Sequence, residues 1–253
     1  MPLHESVDTA GPANAPAIVL VHGSVVSRKM WLPQVRGLSD AYRVIAPDLP
    51  GHGGRADERF TFAAASQVLA DLIEQDTSGR ALVVGASLGG YVAIDLAHRV
   101  PDRVAGLVLA GASRNFMGAL GLYLRLVGGA MRRGLLKQTR ERAEERTRRI
   151  FPPALAEVAD AQIKAGVFPD TLGPAFAEMA GRDFQLLLAD YPGPTLILNG
   201  ERDAGPRASA SRFARGATRA EVAAIPDAGH ACNLDQPELF NQAVREFAAR
   251  VFA

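Results

Sequence analysis

The chain has 253 residues, 48% of them hydrophobic and 22% charged, which is enough for one large domain or two small domains with a buried core. Its 28 basic and 27 acidic residues leave a net charge of +1, which argues against a dedicated nucleic-acid-binding protein, since such proteins carry a basic excess. The single cysteine, Cys232, excludes an intramolecular disulfide and a cysteine-based zinc site.

The start of the chain shows no targeting pattern, because it has neither a cationic head nor an apolar stretch of secretory length. No apolar run approaches the roughly 18 residues that a membrane span requires. The lone cysteine also favours a reducing compartment. We therefore expect a cytoplasmic protein without a membrane span.

Short apolar runs alternate with longer helical patterns along the chain. Apolar runs without polar alternation are typical of strands covered on both faces, as in a parallel sheet. Such runs predict buried strands at residues 17–21, 42–46, 81–84, 104–109, 195–198 and 221–225. Helical patterns lie at residues 30–38, 61–75, 88–100, 206–214 and 237–250. The alternation predicts an α/β fold with a doubly wound, mostly parallel sheet.

Residues 112–190 break this alternation, because they contain helical patterns and no convincing strand. We expect a helical insertion over one end of the sheet. Its first half, residues 112–150, carries ten basic and three acidic side chains, a net charge of +7. Residues 119–127 are more apolar than a solvated helix needs, so they should pack against the sheet edge or line an acyl pocket.

The basic side chains of this insertion have two interpretations. Glu144 with Arg148, and Glu145 with Arg149, have the spacing of stabilising ion pairs on a solvated helix. The alternative is a site that attracts an anionic substrate or an acyl carrier. Its candidate residues are Arg132, Arg133 and Arg149.

The most informative motif is Gly85-Ala86-Ser87-Leu88-Gly89-Gly90, which follows a predicted strand directly and opens a predicted helix. A serine on such a tight turn adopts strained backbone angles, and small neighbours let the adjoining backbone approach. The hydroxyl would then lie at the helix N-terminus, where the helix dipole favours developing negative charge. We interpret Ser87 as a nucleophile.

A nucleophilic serine needs a base within about 3 Å, most often a histidine. His230 lies in a glycine-containing loop just after the last predicted strand, where catalytic residues of α/β sheets collect. The acid that orients such a base would come from the same edge of the sheet. Asp203 follows the strand at 195–198 and is the predicted acid, with Glu201 as its nearest alternative.

The tetrahedral intermediate needs N–H groups that point at its oxyanion. One should be the N–H of Leu88, immediately after the nucleophile. The other should come from the loop that leaves the first central strand, and we assign it to Ser24, with Val25 as the alternative. His22 opens this loop, and we interpret both His22 and His52 as structural.

The order Ser87, Asp203, His230 along the chain resembles the α/β-hydrolase superfamily, and the similarity covers nearly the whole chain. The matching segments are His22-Gly23, Asp48-Leu49-Pro50-Gly51-His52-Gly53, the Ser87 turn, Gly200 with Asp203, and Gly229-His230 followed by Gln236-Pro237-Glu238. Within the superfamily the chain is most similar to small cap-bearing bacterial esterases and lactonases. The resemblance implies an α/β-hydrolase core at 1–111 and 191–253, a helical lid at 112–190, and the same three catalytic residues. The N-terminal strands are abbreviated, with only residues 3–7 available before residue 17.

The sequence therefore predicts a serine hydrolase that cleaves a carboxylic ester or lactone through an acyl-enzyme intermediate. We expect a small-molecule ester, lactone or thioester as substrate, no nucleic acid, no cofactor and no metal, since no cluster has ligand spacing. Thioester hydrolysis, C–C bond hydrolysis and cofactor-free perhydrolysis use the same residues and stay open. A non-catalytic binding protein that keeps the fold is the alternative from another class.

Overall fold

A seven-stranded sheet lies at the centre of the computed structural model, which describes residues 6–136 and 139–253. Its strands are β1 (Val7–Ala10), β2 (Ala17–Val21), β3 (Arg43–Pro47), β4 (Ala81–Ala86), β5 (Val104–Ala110), β6 (Thr195–Gly200) and β7 (Ala220–Ile225). Their order in the sheet is β1-β3-β2-β4-β5-β6-β7. The β1–β3 pair is antiparallel and the other neighbouring pairs are parallel. The predicted mostly parallel sheet is confirmed.

Helices cover both faces of this sheet. Outside the insertion they are α1 (Leu32–Leu38), α2 (Phe62–Asp76), α3 (Leu88–Arg99), α9 (Ala204–Ala214), α10 (Cys232–Asp235) and α11 (Pro237–Val251). Alternate side chains of β2 belong to different cores: Val19 and Val21 pack with residues of α2 and α3, whereas Ile18 and Leu20 pack with residues of α1 and α11. Burial on both faces explains why the strand sequences are continuously apolar.

The sequence predicted most element boundaries to within one or two residues. The helix expected at 30–38 instead begins as a 3-10 turn over Arg28–Trp31 and continues as α1. Most of the segment at 3–7 lies outside the described residues, and β1 begins at its last residue, Val7. The prediction that the strand at 221–225 is buried is wrong: Val222 is 44% exposed, because β7 ends the strand order and pairs only with β6.

The described part of the region between β5 and β6 contains helices joined by turns and irregular segments, and no strand. Its helices are α4 (Gly118–Arg132), α5 (Arg140–Ile150), α6 (Ala156–Ala165), α7 (Leu172–Met179) and α8 (Phe184–Ala189). α4 packs on α7, and α8 packs on α3 of the core. The one β-like contact in the described part of this region is an isolated bridge between Phe168 and Val25 of the core.

Ion pairs on α5 agree only in part with the sequence prediction. Glu145 and Arg149 form the expected pair at 2.6 Å. The predicted pair between Glu144 and Arg148 is wrong, because each has another partner. Those partners are Arg140 for Glu144 and Asp160 of α6 for Arg148. All lie at the surface, where such pairs contribute little to stability.

Candidate active site

Ser87 lies at the junction of β4 and α3, with φ 50° and ψ −116°. Its N–H donates to the Ala110 carbonyl of the neighbouring strand at 2.8 Å. Two glycines permit this close packing, because a Cβ on Gly85 would collide with the Gly89 backbone, and a Cβ on Gly89 would collide with the carbonyls that end β2. A positive φ is rare for a residue with a side chain, so the packing around the turn holds Ser87 in a strained conformation.

Of the three residues predicted to act together, His230 lies within hydrogen-bond distance of both Ser87 and Asp203. His230 Nε2 is 3.1 Å from Ser87 Oγ, and His230 Nδ1 is 2.7 Å from Asp203 Oδ2. Because a carboxylate only accepts hydrogen bonds, Nδ1 carries the proton and Nε2 offers its lone pair to the serine hydroxyl. The contact to His230 is made by Asp203 and not by the alternative, Glu201. This arrangement can deprotonate Ser87 as the hydroxyl attacks an electrophile.

Two further residues, which sequence reasoning did not single out, hold the imidazole in place. A Cβ on Gly111, just after β5, would lie 3.0 Å from the His230 ring, so glycine leaves the space that the ring occupies. Asp235 accepts a hydrogen bond from the Gly229 N–H at 2.7 Å and fixes the loop before His230. A glycine directly after a central strand is the signal that could have identified Gly111.

Ser24 and Leu88 line a cavity of about 300 Å³ together with Ser87 and His230. Leu88 is the first residue of α3, and the first N–H groups of a helix have no acceptor within it. Ser24 follows β2 in a loop whose next residue, Val25, has a φ of 72°. Ser24 and Leu88 therefore lie beside the same cavity as the Ser87 hydroxyl.

The His22 ring stabilises this loop through two hydrogen bonds. Its Nε2 accepts from the Leu49 N–H at 2.9 Å, and its Nδ1 donates to the Gly23 carbonyl at 2.7 Å. The buried His52 ring packs edge-on against His22, with 4.9 Å between ring centroids, and hydrogen-bonds to the Pro50 carbonyl. Burial lowers the pKa of His22 to about 4 and that of His52 to about 3. Neither histidine contacts Ser87, in agreement with a structural role.

The low pKa values of these two buried histidines predict that the folded protein loses stability in acid. An imidazole in the unfolded chain titrates near 6.5, so below that pH the unfolded chain binds protons that the folded protein excludes. We expect each ring to lower the free energy of unfolding by about 1 kcal/mol per pH unit as the pH falls from about 6.5 towards its folded pKa. Denaturant unfolding of the wild type and His52→Gln at several pH values measures this slope. A variant slope as steep as the wild-type slope between pH 6 and 4 would contradict the prediction.

Hydrogen bonds with the insertion also hold this loop in position. Gln162 of α6 is fully buried, and its Oε1 accepts from both the N–H and the hydroxyl of Ser27 at 3.0 Å. Its Nε2 donates to the Gly166 carbonyl at 2.8 Å. The Phe168 N–H also donates to the Val25 carbonyl at 2.8 Å. The position of the insertion therefore helps to set the position of Ser24, a link that the sequence did not reveal.

Gln162→Leu should consequently impair the reaction at Ser87. Loss of a whole oxyanion donor costs about 100- to 1,000-fold in kcat. Because we expect the Ser24 N–H to be such a donor, its displacement should cost about tenfold in kcat, with KM little changed. Gln185→Leu, the same substitution elsewhere in the insertion, is the control and should keep the wild-type kcat. Steady-state kinetics below the melting temperature of both variants measures this. A wild-type kcat in a merely destabilised Gln162→Leu protein would reduce Gln162 to a structural role.

Two cavities meet at Ser87 and His230. One, of about 310 Å³, lies between the core and α5, and the other, of about 300 Å³, lies beneath α4 and α7. The side chains of the first cavity are mainly apolar, including Val26, Met30, Ile150, Phe151, Leu172 and Leu234. Arg146 lines the first cavity and Arg114 the second, whereas the predicted anion-attracting residues Arg132, Arg133 and Arg149 line neither. Leu124 of the apolar stretch at 119–127 lines the second cavity.

Cys232 and the potential metal ligands are the other sequence candidates for chemistry. Cys232 is buried, and burial raises the pKa of its thiol to about 12, so it is not a thiolate at neutral pH. Within residues 6–136 and 139–253, no group of three or more histidine, cysteine, aspartate or glutamate side chains could hold a metal ion. None of the helices described is both long enough and apolar enough to span a membrane.

Comparison with known proteins places this geometry in a family. The model of the Alpha/beta hydrolase family matches residues 18–243. A pimeloyl-[acyl-carrier protein] methyl ester esterase of Aromatoleum aromaticum is 33% identical, covering 89% of this chain and 95% of the relative. The 3-oxoadipate enol-lactonase 1 of Acinetobacter baylyi is 26% identical, covering 97% of this chain and 93% of the relative.

A solved structure extends the similarity to three dimensions. The thermophilic esterase from Thermogutta terrifontis superposes with a TM-score of 0.79 at 29% identity, covering 98% of this chain and 94% of that one. The family match covers most of the chain, and the similarity to the two relatives extends over 95% and 93% of their own lengths. This confirms the resemblance that the sequence motifs indicated, and the chain belongs to the alpha/beta hydrolase family.

Proposed function

We propose that this protein is a serine hydrolase that cleaves a carboxylic ester or lactone through an acyl-enzyme intermediate on Ser87. The observation that carries the proposal is the hydrogen-bonded series from Asp203 through His230 to Ser87, which opens onto largely apolar cavities. An activated hydroxyl beside an apolar pocket is suited to attack the carbonyl of a substrate with an acyl chain.

The reaction begins when Ser87 Oγ attacks the carbonyl carbon and its proton passes to His230 Nε2. Asp203 stabilises the imidazolium through the proton on Nδ1. The carbonyl oxygen becomes an oxyanion, which the N–H groups of Leu88 and Ser24 stabilise. When the tetrahedral intermediate collapses, the C–O bond of the ester breaks and His230 returns the proton to the departing alcohol.

Water completes the cycle by attacking the acyl-enzyme. His230 takes a proton from the water as it adds to the acyl carbon, and then protonates Ser87 Oγ as the acid leaves. For a lactone the alcohol and the acid remain parts of one molecule, so ring opening gives a hydroxy acid. Each step uses the same two hydrogen bonds of the imidazole.

We also propose that residues 112–190 act as a lid over the core formed by 1–111 and 191–253. Both cavities beside Ser87 have walls from both parts, with Ile150 and Leu172 facing the first and Leu124 and Phe176 facing the second. A substrate bound in either cavity would be shielded from water by the insertion. Lids of this kind exclude solvent and contribute to substrate selection.

The names of these two relatives support ester-type chemistry over the other reactions that these residues could perform. The relative from Aromatoleum aromaticum is a methyl ester esterase, and the one from Acinetobacter baylyi is an enol-lactonase. Both reactions cleave a C–O bond at an acyl carbon. We therefore propose esters and lactones ahead of thioesters, C–C bonds and perhydrolysis, and ahead of a non-catalytic binding role.

A substrate panel tests this proposal. Acid release from esters of increasing acyl length, from lactones and from thioesters is measured by pH-stat with the purified protein. We expect turnover of esters or lactones that rises with acyl length until the first cavity, of about 310 Å³, is filled. Thioester turnover well above ester turnover would change the substrate class, and no turnover of any compound would favour the binding protein.

A further inference from the structure

The outer side of α4, and of the turn that follows it, is apolar and open to solvent. Five side chains make up this surface, each between 50% and 73% exposed: Leu122, Tyr123, Leu126, Leu135 and Leu136. In the described part of the chain, ten large hydrophobic side chains are at least 40% exposed, and seven of them lie between residues 117 and 150. A single exposed leucine is ordinary, but a concentration of this kind marks an interaction surface.

Helical geometry makes these side chains neighbours. Leu126 lies four residues after Leu122 and three after Tyr123, so its side chain neighbours both of theirs on one side of α4. The opposite side is buried: Leu124 is 6% exposed, and α4 packs there on α7. After α4 the chain turns at Gly134, where the Leu135 N–H donates to the Ala130 carbonyl at 3.0 Å. Leu135 is thereby held beside the last turn of the same helix.

Arginines flank this apolar surface. Arg125 and Arg132 lie on α4, and Arg133 follows it. None of the three forms a salt bridge with any residue in the described ranges 6–136 and 139–253. Residues 112–150 together carry a net charge of +7. The surface thus combines exposed aliphatic side chains with unneutralised positive charge.

We infer that this surface docks on an anionic lipid bilayer. The headgroup region of such a bilayer accepts leucine and tyrosine side chains and attracts arginines at the same depth. A second copy of the chain would bring two strongly positive surfaces together, which charge repulsion opposes. The leucines project from the outside of a helix and a turn and line neither cavity at Ser87, so they fit a deformable lipid surface better than a protein that would need matching pockets.

Docking would also have a consequence for the cavity at Ser87. Leu124, on the inner side of α4, lines the cavity beneath α4 and α7. A docked bilayer would therefore lie about one helix diameter, roughly 10 Å, from this cavity. Esters that partition into a bilayer would then be concentrated close to the cavity. The inference about docking itself rests on the exposed surface and its charge, and does not depend on the proposed function.

Vesicle flotation with the full-length protein tests the inference without using activity. The vesicles contain phosphatidylcholine alone, or phosphatidylcholine and phosphatidylglycerol at about three to one. We expect binding to the anionic vesicles in about 50 mM salt, and a loss of binding in about 500 mM salt, because salt screens the arginines. The double variant Leu122→Glu/Leu126→Glu should bind at least about tenfold more weakly.

A matched control separates the surface from a general effect of the substitution. Leu186 on α8 is 62% exposed and lies outside the surface, so Leu186→Glu should bind as the wild type does. Equal binding by the wild type and the double variant would overturn the inference, as would no binding to anionic vesicles. A dimer in sedimentation equilibrium that the double variant dissolves would assign the surface to a second copy instead. Binding to polyglutamate but to neither kind of vesicle would assign it to an acidic protein.

Discussion

Replacing Ser87 by alanine is expected to lower kcat by about 10⁴- to 10⁶-fold on any ester that the wild type hydrolyses. The residual rate would come from substrate binding and from N–H groups that the substitution leaves in place. The variant should fold normally, because the glycines and the Ala110 hydrogen bond that shape the turn involve no atom of the Ser87 side chain. Initial rates on a chromogenic ester measure the effect.

The matched control is Ser211→Ala, which makes the same change at an exposed position of α9. It should keep the wild-type kcat. If Ser87→Ala retained more than about one hundredth of the wild-type kcat with normal folding, the hydroxyl would not be the nucleophile, and the mechanism would need another residue.

Asp203→Asn should have the second-largest effect, a fall in kcat of about 10⁴-fold near neutral pH. An amide can donate to His230 Nδ1, which would turn the imidazole to the tautomer with the proton on Nε2. That tautomer has no lone pair facing Ser87, and the neutral amide no longer stabilises the imidazolium. Because the 2.7 Å contact with His230 is made by Asp203, the loss should appear in kcat much more than in KM.

Glu201→Gln is the control for this substitution, because Glu201 is the other carboxylate in the loop after β6. It should leave kcat within a few-fold of the wild type. A large loss in Glu201→Gln together with a small loss in Asp203→Asn would reverse the assignment of the acid. Steady-state kinetics of both variants on one ester makes the comparison.

The sheet could be predicted from the sequence because its strands are buried on both faces and therefore continuously apolar. β4 and β6 run two residues beyond their predicted ends, into Ala86 and Gly200, because these residues still pair with the neighbouring strands. β7 has a similar alanine-rich and apolar composition, but it lies at the edge of the sheet. Composition does not distinguish an edge strand from a central one, so its exposure could not be predicted.

The positions of Ser87, Asp203 and His230 could be predicted for a topological reason. Each follows a strand of a mostly parallel sheet, and the carboxyl ends of parallel strands meet at one edge. The hydrogen bond from Ser27 to Gln162 joins residues 135 positions apart, and nothing in either local sequence indicates it. For the same reason the sequence did not distinguish Arg146, which lines a cavity, from Arg132 and Arg149, which do not.

Covalent labelling shows whether the hydroxyl of Ser87 is an activated nucleophile. The wild-type protein is incubated with a fluorophosphonate, and the adduct is measured by intact mass and located by peptide mapping. We expect one adduct per chain on the peptide that contains Ser87, and no adduct on Ser87→Ala. An unlabelled wild type, or an adduct that persists in Ser87→Ala, would contradict this expectation.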